Sequence, residues 1–175
     1  MMPSVRDYFE VRRSTTGDVL VYIAQELPEY MQRILPLSAA SRDNLIAGMG
    51  MGGYYALKTA VKCPERFGSA GVLGGLPDVK SCLWNQPEGS PERLLCEGFE
   101  TSGQDVIELI CSKKQEGKAL PRLFFQYPEE ERNENDRDVW RRFKEAGIEV
   151  TKFQGGSLEK SIEYFVQENA GGIYG

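Results

Sequence analysis

Asn44-Leu45-Ile46-Ala47, then Gly48-Met49-Gly50-Met51-Gly52-Gly53, then Tyr54-Tyr55-Ala56-Leu57-Lys58 is a strand, a sharp turn and a helix written in fifteen consecutive residues. The first four are a short apolar run of strand length. Six residues with four glycines then reverse the chain, and the helix from Tyr54 to about Lys62 stops before Cys63-Pro64. Outward from this βα junction the alternation continues in both directions. Upstream, Leu20, Ile23, Ala24, Leu27, Tyr30, Met31 and Ile34 recur at helical spacing between Gly17 and Leu35. Thr16 and Asp18 can cap that helix, and Pro28 is expected to kink it.

Downstream, Ser69 to Leu73 reads as the next strand, closed by Gly74-Gly75. The stretch 76–102 is turn-rich, with Pro77, Pro87, Gly89 and Pro91. Gln104 to Lys114 is amphipathic, and Arg122 to Gln126 is an apolar strand around Leu123-Phe124-Phe125. Asp136 to Ala146 reads as a helix with Val139, Trp140 and Phe143 inward and Gly147 as its C-cap. Ile148 to Phe153 is a last strand, Leu158 to Gln167 a closing helix, and Ala170 to Gly175 a glycine-rich tail. Apolar strands alternating with helices predict a parallel sheet buried between helical layers, an α/β fold of three layers in one domain over residues 1–175.

Composition narrows the chemistry. The chain has 175 residues, 41% hydrophobic and 27% charged, enough for a proper core. A net charge of −5 argues against nucleic acid or an anionic membrane as partner. No apolar run reaches membrane-spanning length and no leader-like segment opens the chain, so a cytoplasmic protein is expected. Cys63, Cys82, Cys96 and Cys111 lack metal-ligand spacing and read as separate reduced thiols. The histidine count is zero, which excludes imidazole as base, acid or metal ligand.

The residues Ile46 to Lys58 resemble the glycine–nucleophile–glycine elbow of the esterase-D-like α/β-hydrolases almost residue for residue. Those enzymes include tributyrin esterases, S-formylglutathione hydrolases and feruloyl esterases. Tyr22-Ile23-Ala24-Gln25-Glu26-Leu27-Pro28 is similar to the helix before that elbow, and Cys63-Pro64-Glu65-Arg66-Phe67 to the stretch after it. The resemblance implies an α/β-hydrolase fold, ester or thioester substrates and no cofactor. It also implies that strands belonging to the N-terminal half of the family fold are missing here. The segment 76–102 takes the place of the family's cap-like insertion.

Carried over position by position, the family's nucleophile falls on Gly50, which has no side chain. The acid falls nearest Glu130, although Glu129, Glu130, Glu131 and Asp136 also read as a solvated acidic run. The catalytic histidine falls on Ser157, in Gly155-Gly156-Ser157, and one oxyanion N–H falls on Met51. A serine without a base is almost unionised near neutral pH, so Ser157 is no substitute nucleophile. The expectation is therefore a catalytically inactive homologue. A pseudoenzyme, a truncated remnant and a deliberately altered chain all fit, and a hydrolase with residual activity is the alternative.

Gly48, Gly50 and Gly53 also spell G-x-G-x-x-G after a strand, the dinucleotide fingerprint. That fingerprint asks for an acidic residue at the end of the next strand, and here Asp78 comes late. Without a preceding half, the strand at 44–47 is expected to be a bare apolar edge, open to a second copy or to a partner protein. Trp84, Trp140, Phe124 and Phe125 read as core or pocket lining, and Met49 and Met51 as filling space beside the turn. Arg137, Arg141, Arg142 and Lys144 read as a solvated helix face.

Overall fold

A computed structural model describes residues 21–74, 87–90, 105–127 and 134–170. Trp84, Cys82, Cys96, Asp78, Glu129, Glu130, Glu131, both proposed N-terminal caps and nearly all of 76–102 lie outside the described residues. The chain divides into two compact units, Met1–Leu37 and Ser38–Gly175.

In the first unit a π-helical segment, Tyr22–Glu26, runs directly into helix α1, Leu27–Ile34. Pro28 stands in the first turn of α1. A proline ring collides with the carbonyl four residues back in a regular helix. The wider π turn, closed by Leu27 N–H on the Tyr22 carbonyl, supplies the room. The sequence predicts a kinked α-helix here; the structure accommodates the proline by a change of helical pitch.

The second unit runs β1 (Leu45–Met49), α2 (Met51–Lys62), β2 (Ser69–Leu73), α3 (Val106–Gln115), β3 (Arg122–Tyr127), α4 (Glu134–Glu145), β4 (Val150–Gln154) and α5 (Leu158–Ala170). All four strands are parallel, in the order β1-β2-β3-β4. β2 matches its expected bounds to the residue. The strand at 44–47 begins and ends later, because Gly48 and Met49 continue the ladder against Val72 and Leu73. α2 begins three residues earlier than composition suggests, inside the glycine cluster.

β2 is buried along its whole length, as is β3 from Leu123 to Gln126. Alternate residues point to opposite faces. One face carries Leu73 and Phe124 against Phe165 of α5, with Tyr164 stacked on Phe153 at 4.8 Å between centroids. Gly71 admits Phe165 there; a Cβ at Gly71 would meet that ring at 3.1 Å. On the other face Val72 and Phe125 lie under α2, α3 and α4, with Leu57, Val61, Ile107, Ile110, Val139 and Phe143 buried. This is the three-layer α/β/α arrangement the apolar strands predict.

Gly147 closes α4 at φ 65°, as its position after the last apolar residue suggests. No helix among the described residues is long and apolar enough to cross a membrane.

Candidate functional site

Because the strands are parallel, their carboxyl ends share one edge of the sheet, where an open α/β sheet places its ligands. Gly50 follows β1, Gly74 follows β2, Tyr127 ends β3, and Gly155-Gly156-Ser157 follows β4. Three interstrand steps separate the β1 and β4 ends, about 14 Å of sheet.

The turn after β1 is set by glycines that serve two different purposes. At Gly48 an added Cβ would sit 2.2 Å from the Gly52 carbonyl oxygen, and at Gly53 it would sit 2.8 Å from that of Gly48 and 2.9 Å from Val72 Cγ1. These two are required by the close approach of strand end and helix start. Gly50 is required by torsion: its φ of 55° and ψ of −125° lie where side chains are strongly disfavoured. Around it there is room, since nothing lies within 4 Å of a Cβ built there. The contacts of Gly48 and Gly53 are with protein atoms, so their spacing needs no bound phosphate to explain it. β2 ends at Leu73 and Gly74 follows it, with no carboxylate at the position a ribose would require.

Met51 is the first residue of α2. Its N–H is one of those at a helix start with no partner inside the helix, and it stands at the positive end of the helix dipole. The Gly50 carbonyl accepts from Gly53 N–H at 3.0 Å and Tyr54 N–H at 3.3 Å, which locks the turn. Tyr54 is buried, and that burial pushes its phenol far above the usual range, so it stays neutral. Met49 is 60% exposed, against the expectation that it fills space beside the turn.

At the far strand, Ser157 caps α5. Its carbonyl accepts from Ser161 N–H and Oγ at 3.0 Å each, and its Oγ from Lys160 N–H at 3.4 Å. The Gly155-Gly156 pair before it takes φ of 78° and 86°. Gly155 N–H reaches the Tyr127 carbonyl at 2.9 Å and holds this turn against the end of β3.

The strand ends are tied together by Gln126, 5% exposed. Its Oε1 accepts from Gly74 N–H at 2.7 Å and its Nε2 donates to the Gly155 carbonyl at 3.5 Å. Sequence reasoning placed Gln126 at the end of an apolar strand and gave it no role; an amide closing a buried strand was the signal for one. Cys63 and Cys111 are free and half-buried, and burial raises both thiols, so neither supplies a ready thiolate. Among the described residues no group of three or more Cys, Asp or Glu is arranged to hold a metal ion.

The sequence model of the family described as "Putative esterase" matches residues 12–118. The chain belongs to this esterase family. None of the curated proteins compared with it matches. Among solved structures, this esterase-family domain is similar to an S-formylglutathione hydrolase of Staphylococcus aureus, at 20% identity and a TM-score of 0.68 over 90% of this chain. It is also similar to the fluorophosphonate-binding serine hydrolase F of that organism, at 21% identity and a TM-score of 0.72 over 87% of this chain. An enterochelin esterase of Shigella flexneri superposes over 97% of this chain, at 18% identity and a TM-score of 0.60. These likenesses establish an α/β-hydrolase fold. The chain spans 64% of the length of each staphylococcal protein and 42% of the enterochelin esterase.

Proposed function

We propose that this domain is an esterase-family unit whose strand-to-helix turn is a nucleophile elbow without a nucleophile, and that it does not turn over esters by a serine mechanism. The observation that carries the reading is Gly50: the backbone bends as an elbow does, the space above it is open, and no side chain enters that space. The other half of the machinery is absent by composition, because the chain has no histidine. Ser157, at the family's histidine position, caps a helix instead. Glu130 is assigned the acid position by register only.

The features that remain are the Met51 N–H and the dipole of α2, which favour a carbonyl oxygen or an anion at the turn. An oxyanion site and binding alone retain a residual acceleration of about 10³–10⁴-fold over water in serine hydrolases stripped of their triad. Carboxylic-ester or thioester turnover at that level is the reading to set against ours. The role left to an inactive unit is binding, and β1 offers the place. Among the described residues β1 pairs on one side only, with Ala47 and Met49 exposed. We assign that edge to a second copy of the chain or to a partner's strand. Free thiols at Cys63 and Cys111 suit a reducing compartment, and we place the protein in the cytoplasm.

The test is hydrolysis of p-nitrophenyl acetate by the purified chain. A rate equal to that of a heat-denatured sample supports the reading, and a rate that survives repurification and exceeds it overturns it. Gly50→Ser alone is expected to restore little. Gly50→Ser with Ser157→His restores measurable turnover if the register holds.

A further inference from the structure

The two faces of the sheet are unequally covered. Among the described residues of this unit, α2, α3 and α4 lie on one face and α5 alone on the other. A helix is about 10 Å across and neighbouring strands lie about 4.8 Å apart, so one helix covers about two strands. α5 is centred over β2 and β3: Phe165 packs against Gly71 and Phe124, and Tyr164 reaches out to Phe153 of β4. β1 is left bare on this face. Ala47 Cβ and the Phe165 ring approach the same side of Gly71, so Ala47, and with it Met49, points to the α5 side. Both are exposed.

The flank of α5 above β1 is apolar too. Tyr164 turns toward β4, so at about 3.6 residues per turn Ile162 and Val166 turn the other way, toward β1. They are 43% and 44% exposed, and Leu158, one turn earlier, is 41% exposed. Together these residues make an L-shaped trough, floored by Ala47 and Met49 and walled by Leu158, Ile162 and Val166, about 12 Å long. Glu159 and Glu163, both exposed, follow on the outer rim of that wall. Scattered exposed apolar side chains are ordinary; five in one trough under an acidic rim mark an interaction surface.

The shape selects the occupant. A strand added to the edge of β1 lies in the sheet plane and leaves the wall uncovered. A second copy paired there about a two-fold axis brings its own α5, but each helix stands about two strand spacings from the seam. About 20 Å then separates the two helices, against about 8–10 Å for packed ones. The trough stays open in both cases, and it is one helix wide. The glutamates set the charge of the occupant's flank, and a cationic helix is also drawn to a chain of net charge −5.

We propose that this trough seats an amphipathic helix of a partner protein, with its apolar face on Ala47, Ile162 and Val166 and with lysine or arginine opposite Glu159 and Glu163. This is recognition of a helix in a groove, and it stands whether or not the turn at Gly50 is catalytic.

Fluorescence anisotropy of the full chain with a labelled eighteen-residue helical peptide, leucine along one face and lysine on both flanks, tests this. Saturable one-to-one binding is expected, weakening as salt rises. A scrambled peptide of the same composition, with no apolar face, should bind at least about tenfold more weakly. Ile162→Gln with Val166→Gln should weaken the helical peptide by at least about tenfold, through lost apolar contact. Glu159→Lys with Glu163→Lys should reverse the preference between this peptide and one with glutamate flanks. All four positions are exposed, and an unchanged melting temperature separates lost binding from lost fold. No saturable binding, equal binding of the scramble, or unchanged affinity in the double glutamine variant overturns the proposal, as does a preference that charge reversal leaves in place. Self-association of the unaltered chain that the double glutamine variant abolishes overturns it too, by giving the trough to a second copy.

Discussion

Gly50 and Gly48 are two glycines of one turn, and they respond differently to the same added methyl group. At Gly50 the penalty is torsional only, since a Cβ there meets nothing. Gly50→Ala or Gly50→Ser should therefore cost about 1–3 kcal/mol in urea denaturation, with the fold retained. At Gly48 the added carbon meets backbone at 2.2 Å, which no rotamer change relieves. Gly48→Ala should cost more than Gly50→Ala, above about 3 kcal/mol. Equal losses would mean that the turn is not built as described.

The half-buried thiols give a pH-dependent check. Burial raises Cys63 and Cys111, so each holds less thiolate at any given pH than an exposed cysteine. Their alkylation by iodoacetamide at pH 8 should lag behind that of a model peptide thiol, and should accelerate as pH climbs through the raised pKa. Of these residue-level features the sequence revealed the absence of a side chain at Gly50 and the want of histidine. It did not separate a glycine needed for torsion from a glycine needed for contact, because both are the same letter.

At the level of elements, caps and strand-end ties are the parts open to measurement. Asp105 accepts at Oδ1 from Ile107 N–H at 2.8 Å and Glu108 N–H at 3.2 Å, capping α3. Asp105→Ala should cost about 0.5–2 kcal/mol, read as a drop in melting temperature. Gln126→Leu leaves the shape of β3 but removes the amide bridging Gly74 and Gly155. About 1–3 kcal/mol should be lost, with faster amide hydrogen exchange at Gly74.

Element identity was legible wherever an apolar period ran unbroken, as at Ser69 to Leu73. Boundaries slipped where glycines served as strand or helix, as at Gly48 and Gly52, since their pairing depends on a neighbouring strand that local sequence does not name. Arg137, Arg141 and Lys144 read as a solvated helix face, and all three are exposed.

For the molecule as a whole, β1 is the exposed question. We propose that its outer edge pairs with a second copy or with a partner's strand. If copies pair around a two-fold axis, their β1 strands must run antiparallel, because an isologous contact sets each residue against its symmetry mate. Light scattering should then give twice the chain mass at micromolar concentration. Ile46→Pro, which interrupts the edge, should reduce it to a monomer. A sharp monomer for the unaltered chain, with no partner strand recovered, would remove the assignment. The overall architecture was the most legible level, since apolar runs alternating with helices permit few arrangements other than a parallel sheet between layers.

The bend at Gly50 also bears on how the domain can change over time. A glycine occupies that backbone geometry nearly free of strain, so the turn as it stands is the relaxed form of a junction that any side chain would load. Placing a serine there is uphill at the first step. Gly50→Ser would lower stability at once, while the compensating gain waits on a second change that supplies an imidazole. Proteins hold little stability in reserve against such intermediates. On the function proposed above, the torsion of one residue works as a ratchet, by which a glycine at the turn settles the fold and resists replacement by a serine.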